Sequence, residues 1–336
     1  MVSQSIPRDA DTRAGHLRPL DPARDLGPLA HLIEIAFADE LSFGATAIAR
    51  EIQAQSLFGP IFWLLSRISP TFRELLTGFV WEEDGTLVGN TTISRADGIA
   101  NDWIISNVAV LPSYRRRGIA DQLVGAAIEY ARQRRARRIL LQVRADNEAA
   151  RRLYLKHGFV TVEVVTQLQA SRMIPPRWQP NPSVVIRAPV PARWYEAYEL
   201  ARVAIPIAVQ QLRPLRADTF HIRLRGSLDT IAEWLTGRSR ERWWAEVDGR
   251  LRGLLTIERG RGTSRIEFII HPEGRGLVEP DLTRHALERL RGNTKVRAHV
   301  PTYQAEVINS LRKCGFVEVR SLEQMVLEVQ KLGERQ

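Results

Sequence analysis

The chain has one cysteine, four lysines and no long uninterrupted apolar run. A lone cysteine, Cys314, can form no disulfide within the chain and no multi-cysteine zinc site, so we expect no metal. No stretch approaches the roughly 18 apolar residues that cross a bilayer, so we expect no membrane partner. The first residues lack the apolar core of a secretory signal, and the expected location is therefore the cytoplasm.

Arginine, in contrast, is abundant. Four lysines among 48 basic residues leave 44 arginines, and the formal net charge of the 336 residues is +10. Such a charge can attract nucleic acid or a phosphate-rich ligand. The arginines are spread along the whole chain, however, apart from one cluster at 115–117. This distribution favours a compositional bias, and we do not expect nucleic acid as the partner.

The length predicts about two domains, at roughly 100–200 residues each. The segment 171–182, SRMIPPRWQPNP, contains four prolines in twelve residues. Such a segment sustains neither a helix nor a central strand and favours an extended connector. We therefore predict domains at 1–170 and 183–336, joined by a linker at 171–182.

The two halves resemble each other. Strand-like runs flank Asp84-Gly85 in the first half and Asp248-Gly249 in the second, and this dipeptide is a hairpin signal. Further on, the segment 139–163 matches 296–320. Two blocks that match in the same order indicate a duplicated domain. Each half interleaves strands with helices, which predicts mixed α/β sheets.

The most informative stretch is 107–135, where a β-branched strand leads through an arginine-rich loop into an amphipathic helix. Backbone N–H groups at a helix start have no intrahelical partner, and the helix dipole adds partial positive charge. Together they suit a diphosphate. Gly118 lets the backbone approach such a ligand, and Arg115 to Arg117 can add charge-assisted bonds. The alternative is an ordinary turn with a solvated basic loop.

Residues beyond the loop extend this pattern in a fixed order. The strand, the loop and its helix are followed by a second strand, by Asn147, and by a helix with Tyr154 and Gly158-Phe159. This order resembles the GCN5-related N-acetyltransferase (GNAT) superfamily. Its loop signature, Gln or Arg then x-x-Gly-x-Gly or Ala, reads Arg115-Arg116-Arg117-Gly118-Ile119-Ala120 here. The resemblance implies two tandem GNAT-like domains, each a mixed, partly splayed β-sheet flanked by helices.

The resemblance also implies a cosubstrate, acetyl-CoA. In the family, the strand before the loop pairs through its backbone with the pantetheine arm, and the residues here are Val108, Ala109 and Val110. The loop and the helix start would hold the diphosphate through Arg115, Arg116, Arg117, Gly118, Ile119 and Ala120. Asn147 would bind the cofactor from the start of the next helix.

Two residues are candidates for proton transfer. Tyr154 would stand near the thioester sulfur, and we expect it to protonate the departing thiolate. The family often places a carboxylate on the strand before the loop, and Asp102 is the candidate general base, directly or through a water. An N–H of Val108 or Val110 would stabilise the oxyanion. The alternatives are a core tyrosine and a solvated aspartate at the strand start.

The second half has lost this pattern. Leu277 or Val278 falls at the position of Gly118, Leu311 at that of Tyr154, and Gln304 at that of Asn147. We expect a degenerate GNAT-like domain that does not catalyse. Residual cofactor binding by this half stays open, because Gly274 and Gly276 remain in its loop.

The expected function is acetyl-CoA-dependent N-acetyl transfer by the N-terminal domain, directly to an amine and without a covalent enzyme intermediate. The alternative is a non-catalytic acyl-CoA-binding sensor or scaffold. The acceptor is open between a small-molecule and a peptide amine, and a homodimer is one option for the oligomeric state. The acceptor wall is expected in the segment 41–76, which contains Phe58, Phe62, Trp63 and Phe72.

Overall fold

The computed structural model describes residues 15–36, 77–96, 101–221, 239–260, 262–292 and 295–329. These residues group into two compact units, and neither unit is one continuous piece of chain. Unit 1 takes the described residues within 1–142, 149–160 and 325–336, and unit 2 takes those within 143–148 and 161–324.

Unit 1 is built on five strands that are neighbours in sequence order. The strands are β1 (His16–Pro19), β2 (Gly78–Glu83), β3 (Thr86–Arg95), β4 (Asp102–Val110) and β5 (Arg138–Arg144). The first four are antiparallel, and β4 pairs with β5 in parallel. The helices are α1 (Pro22–Ala36), α2 (Ile119–Gln133) and α3 (Glu148–Lys156).

Helices α1 and α2 cover opposite faces of this sheet. Leu29 and Leu32 of α1 share a buried cluster with Leu87 of β3, whereas Leu123 of α2 packs with Val88. Adjacent residues of a strand point to opposite faces. The small and apolar side chains that recur at helical spacing in α2 therefore form its buried face, as the sequence predicts.

Unit 2 contains seven strands in the spatial order β12-β6-β11-β10-β9-β8-β7. They are β6 (Val160–Ala170), β7 (Val184–Arg187), β8 (Ser239–Val247), β9 (Arg250–Arg259), β10 (Ser264–Ile270), β11 (Val296–Pro301) and β12 (Val317–Glu328). Its helices are α4 (Trp194–Ala204), α5 (Ile207–Leu212), α6 (Glu279–Arg289) and α7 (Ala305–Lys313). Strand β10 runs parallel to β11, and β6 runs antiparallel to β11.

Both predicted hairpins are present. Asp84 and Gly85 join β2 to β3 with φ angles of 50° and 74°, and Asp248 and Gly249 join β8 to β9 with φ angles of 50° and 72°. A two-residue turn with both residues left-handed matches the twist of the strands that it joins.

Strand β6 belongs to unit 2, where it lies beside β11. The predicted domain boundaries at 1–170 and 183–336, with a linker at 171–182, stay a prediction.

Cys314 is buried, as expected for a small apolar side chain, and burial raises the pKa of its thiol to about 11. Within the described ranges, no helix is long and apolar enough to cross a membrane.

Candidate functional site

Among the described residues, one edge of strand β4 is open beyond Ile104. The strand pairs with β3 almost to its end, but with β5 only at Asp102, Trp103 and Ile104. Asn107 has a φ of 53°, and the register with β3 shifts between Asn90 and Thr92. This geometry is a β-bulge, which bends a strand away from its neighbour. The two parallel strands therefore part beyond Ile104.

Polar side chains hold the bulge. The Asn90 side chain donates from Nδ2 to the carbonyl of Asn107 at 3.0 Å, and Asn107 donates to Oγ1 of Thr92 at 3.2 Å. Asn90 is fully buried. Its side chain supplies a hydrogen bond to the Asn107 carbonyl, which the bulge removes from the backbone ladder.

The bulge decides which backbone groups face the open edge. The N–H of Leu111 donates to the carbonyl of Val88, and Ala109 lies opposite Asn90. Alternate residues of a strand present their N–H and C=O groups to opposite edges. Ala109 therefore bonds toward β3, whereas Val108 and Val110 present their backbone groups to the open edge. The carbonyl of Val110 accepts from Nε of Arg115 at 3.2 Å.

The loop after β4 leaves a row of N–H groups free. A 3-10 turn at Pro112–Tyr114 uses the N–H groups of Tyr114 and Arg115. Those of residues 116–120 have no backbone acceptor within the described part of the chain. Arg116 and Gly118 have φ angles of 63° and 78°, so the chain turns sharply before α2 begins. Successive N–H groups at such a turn form an anion site.

The space in front of the loop is open. A Cβ placed on Gly118 would meet no atom within 4 Å. The four residues from Arg115 to Gly118 are exposed. Among the described residues, no side chain therefore covers the loop at Gly118.

The three loop arginines differ in their contacts. Arg115 bonds to Val110, while Arg117 pairs with Glu83 at 2.8 Å and lies over the Tyr114 ring at 5.3 Å. Arg116 has no hydrogen-bond or ion-pair partner among the described residues. Arg116 is therefore the arginine with a fully available guanidinium.

Tyr154 lies on α3 with 6% of its surface exposed. Its ring packs edge-on against Phe159, with 5.9 Å between the ring centres. Burial raises the pKa of its phenol to about 12, because the low-dielectric surroundings disfavour the phenolate. The hydroxyl therefore holds its proton at neutral pH, as a proton donor must.

A carboxylate joins α3 to the start of α2. Asp121, in the first turn of α2, accepts from Nζ of Lys156 at 2.8 Å, and its other oxygen lies 2.9 Å from Nε2 of His157. The Lys156 ammonium is the main cause that lowers the pKa of Asp121. This contact could not be predicted from the sequence, because its partners are 35 and 36 residues apart and share no local spacing.

Asp102 is fully buried and bound to two arginines. Its carboxylate lies 2.6 Å from Nη2 of Arg138, which is itself buried, and 3.2 Å from Nε of Arg137. The guanidinium groups occupy its oxygens, and none of its surface reaches solvent. The contacts are those of a structural ion pair, and they give no support to Asp102 as a general base.

Asn147 is exposed in the turn before α3, and its N–H donates to the carbonyl of Arg144 at 3.0 Å. It groups with unit 2, whereas Tyr154 and residues 115–120 group with unit 1. Its role toward the cofactor stays a prediction. The expected acceptor wall at 41–76 lies outside the described residues.

The corresponding loop of unit 2 is closed by its own carboxylate. A 3-10 turn at Pro272–Gly274 and a left-handed Gly276 lead into α6, whose first residue, Glu279, is 1% exposed. The backbone N–H groups of Gly276, Val278 and Glu279 lower the pKa of this carboxyl group, although burial has the larger, raising effect. Its Oε2 has no hydrogen-bond partner among the described residues. The buried carboxyl group of Glu279 therefore lies beside the N–H groups to which a phosphate would bind.

Comparison with known proteins connects this geometry to a family. A family model described as "Acetyltransferase (GNAT) family" matches residues 47–159. A curated relative from Bacillus subtilis, described as a ribosomal protein bS18-alanine N-acetyltransferase, is 34% identical over 113 residues, which are 32% of this chain and 70% of that protein. The mycothiol acetyltransferase of Corynebacterium diphtheriae is 45% identical over 94 residues, which are 28% of each protein.

Solved structures match nearly the whole chain. A GCN5-related N-acetyltransferase from Sphaerobacter thermophilus has a TM-score of 0.58 at 16% identity and covers 94% of this chain and 96% of its own. A tandem GNAT protein from the clavulanic acid biosynthesis pathway has a TM-score of 0.50 at 16% identity, over 94% of this chain and 99% of its own. At this identity the likeness shows the fold, and it confirms the predicted fold class.

Proposed function

Because this chain belongs to the GNAT family of acetyltransferases, we propose that unit 1 transfers an acetyl group from acetyl-CoA to an amine. The observation that carries the proposal is the loop at 115–120, where free backbone N–H groups face open space beside an unpaired Arg116. Acyl transfer to an amine is the chemistry of the family. The active unit and the acceptor are the parts proposed for this chain.

The loop fits the diphosphate of acetyl-CoA. Its N–H groups at 116–120 would donate to the phosphate oxygens, and the helix dipole of α2 would add to their attraction. Arg116 can form a charge-assisted bond to a phosphate without breaking an existing contact among the described residues. Arg115 and Arg117 would add positive charge while they keep their contacts to Val110 and Glu83.

The open edge of β4 fits the pantetheine arm. An amide-containing chain can pair with a free strand edge as an additional strand does. Val108 offers both its N–H and its C=O, and Val110 offers its N–H. An N–H on this edge would also stabilise the carbonyl oxygen on which negative charge develops.

Bound acetyl-CoA supplies a thioester, and the residues of the chain supply position and a proton. The Tyr154 hydroxyl would donate its proton to the sulfur as the carbon–sulfur bond breaks and the new carbon–nitrogen bond forms. The attacking neutral amine loses one proton as the amide forms, and this proton, directly or through water, restores the neutral phenol of Tyr154. We assign no general base, because the contacts of Asp102 leave it no free oxygen.

Unit 2 is proposed to be non-catalytic. Its loop holds Glu279 where the first loop is open, and Leu311 stands at the position of Tyr154. One observation favours the alternative of an acyl-CoA-binding protein without turnover. Tyr154 is nearly buried against Phe159, and such packing would suffice for a structural role.

The test is transfer of acetyl from acetyl-CoA to two classes of amine, a peptide with an N-terminal alanine and a small amino sugar. The release of the CoA thiol measures the rate. We expect Tyr154→Phe to lower kcat by about 10²–10⁴-fold and to leave the Kd of acetyl-CoA unchanged. Tyr130→Phe, on α2 and outside the site, is the matched control. The phenol pKa of about 12 predicts that its ionisation removes no activity below about pH 11.

Two outcomes would contradict the proposal. Tight binding of acetyl-CoA without transfer to either class of amine would favour the non-catalytic alternative. Full turnover by Tyr154→Phe would remove the proton donor from the mechanism.

A further inference from the structure

Unit 2 contains a cavity on the face of its sheet that α4 covers in part. Its volume is about 160 Å³. Its polar wall comes from three neighbouring strands, and its apolar wall from the same strands and Phe220. The residues that matter here are Arg242, Thr256, Glu267, Trp244, Leu254 and Ile269.

The strand register places the polar residues in one row. Arg242 of β8 lies opposite Thr256 of β9, and Thr256 lies opposite Glu267 of β10. Residues directly opposite each other share a face of the sheet. Neighbouring strands are about 4.8 Å apart, so the backbones of Arg242 and Glu267 are about 10 Å apart, with Thr256 between them.

Arg242 has no described partner. Its side chain is half-buried, and no described residue forms an ion pair or hydrogen bond with it. Burial, followed by the charge of Arg240, lowers the pKa of its guanidinium. Arg240 is already bound to Glu258, with 2.7 Å between Nε and Oε1. Glu258 partly offsets these effects through its charge but forms no hydrogen bond with Arg242. A partly desolvated guanidinium without a hydrogen-bonded anion is costly, so this arrangement points to an anionic group of a ligand.

Glu267 supplies the opposite charge at the other end of the row. It is exposed, and within the described ranges it has no ion-pair or hydrogen-bond partner either. Strand β9, with Thr256, lies between their strands, and among the described residues Arg242 and Glu267 form no ion pair with each other. The cavity therefore offers one cationic and one anionic group to the same small molecule.

The next row of the sheet is apolar. Trp244, Leu254 and Ile269 lie opposite one another in register, and they share a buried cluster with Phe220 and with Ala197 of α4. An apolar cavity of about 150 Å³ admits a molecule of the size of benzene. The volume of about 160 Å³ includes the polar row, so the apolar group of a ligand here is at most of that size.

We propose that this cavity binds a small zwitterion with an apolar side group, such as an α-amino acid with a branched or aromatic side chain. Its carboxylate would bind to Arg242, its ammonium to Glu267, and its side group would lie against Trp244 and Leu254. The site lies within unit 2, so the proposal does not depend on acetyl transfer by unit 1.

The experiment is calorimetric titration of the full chain with leucine and phenylalanine, and with analogues of phenylalanine that lack one charge, phenethylamine and 3-phenylpropionate. We expect at least one of the two amino acids to bind, and phenylalanine to bind at least tenfold more tightly than either of its analogues. Arg242→Gln and Glu267→Gln should each weaken binding at least tenfold. Arg265→Gln is the control, since Arg265 lies on β10, two residues from Glu267 and outside the cavity.

Equal affinity for phenylalanine and 3-phenylpropionate would overturn the proposal, as would no binding of either amino acid at millimolar concentration. Glu267 is exposed, so Glu267→Gln remains a valid test even if Arg242→Gln does not fold. Unchanged binding by the Glu267→Gln variant would also overturn it.

Discussion

Nε2 of His157 lies 2.9 Å from Oδ1 of Asp121, and this contact joins the residue that follows α3 to the first turn of α2. Asp121 follows Gly118 by three residues, and His157 follows Tyr154 by three. One carboxylate therefore ties the loop proposed for the diphosphate to the helix that carries the proposed proton donor.

Asp121→Asn should lower kcat, because it weakens the contacts that hold α3 against α2. A displacement of Tyr154 by 1 Å would cost up to about 100-fold. The Lys156 ammonium holds the pKa of Asp121 below its ordinary value, so in the native chain the contact with Lys156 persists at neutral pH and is lost only at a pH below the ordinary titration range of an aspartate. Steady-state kinetics and a thermal melt give the two readouts. Asp218→Asn, which breaks an exposed pair with Arg216, should change neither.

Gly118→Ala should weaken acetyl-CoA binding at least tenfold. Gly118 and Gly85 have φ angles of 78° and 74°, and neither has an atom within 4 Å of its ideal Cβ. Alanine at either position costs about 1–2 kcal/mol of backbone strain. Only the Cβ at 118 would meet the diphosphate. Equal Kd values for Gly118→Ala and Gly85→Ala, measured by calorimetry, would rule out the proposed loop.

Asp102→Asn should destabilise the fold by about 3–5 kcal/mol, because it removes the charge of a fully buried carboxylate that binds the buried Arg138 guanidinium. The kcat of the folded fraction should stay close to that of the native chain. Chemical denaturation and kinetics on the same sample separate the two effects. A large loss of kcat at unchanged stability would instead restore Asp102 as a general base.

The native chain should bind about one acetyl-CoA, because Glu279 occupies the loop of unit 2. Glu279→Ala removes the carboxyl group that lies beside the N–H groups of this loop. Added pyrophosphate should then raise the melting temperature of the Gly118→Ala/Glu279→Ala double variant and leave that of Gly118→Ala unchanged, because the loop of unit 1 is impaired in both. Two molecules of acetyl-CoA per native chain would contradict this account.

The sequence predicts those features that depend on short-range chemistry. The hairpins at Asp84-Gly85 and Asp248-Gly249 follow from a two-residue signal, and the loop at Gly118 follows from a strand and a helix on either side of it. Helix α2 appears where its apolar period predicts it. In each case the residues that determine the structure are close along the chain.

Features that depend on strand register could not be predicted from the sequence. Asp102 meets Arg138 only because β4 and β5 pair in parallel at that position. A period of two shows which face of a strand is buried and does not show which strand lies beside it, so the neighbours of β6 could not be predicted. Glu279 closes its loop through backbone geometry that a comparison of residue types does not reveal.

Strand β6 has a consequence for any attempt to divide the protein. It lies between β12 and β11, and its residues Val165–Ala170 pair with Val296–Pro301. In the sequence, β6 precedes the proline-rich connector and β11 follows it. A fragment that stops at Ala170 would carry β6 as an unpaired strand that is prone to self-association. The remaining fragment would lack the strand between β12 and β11. Protease cleavage within the connector would nick the molecule and leave its two pieces held together by that ladder.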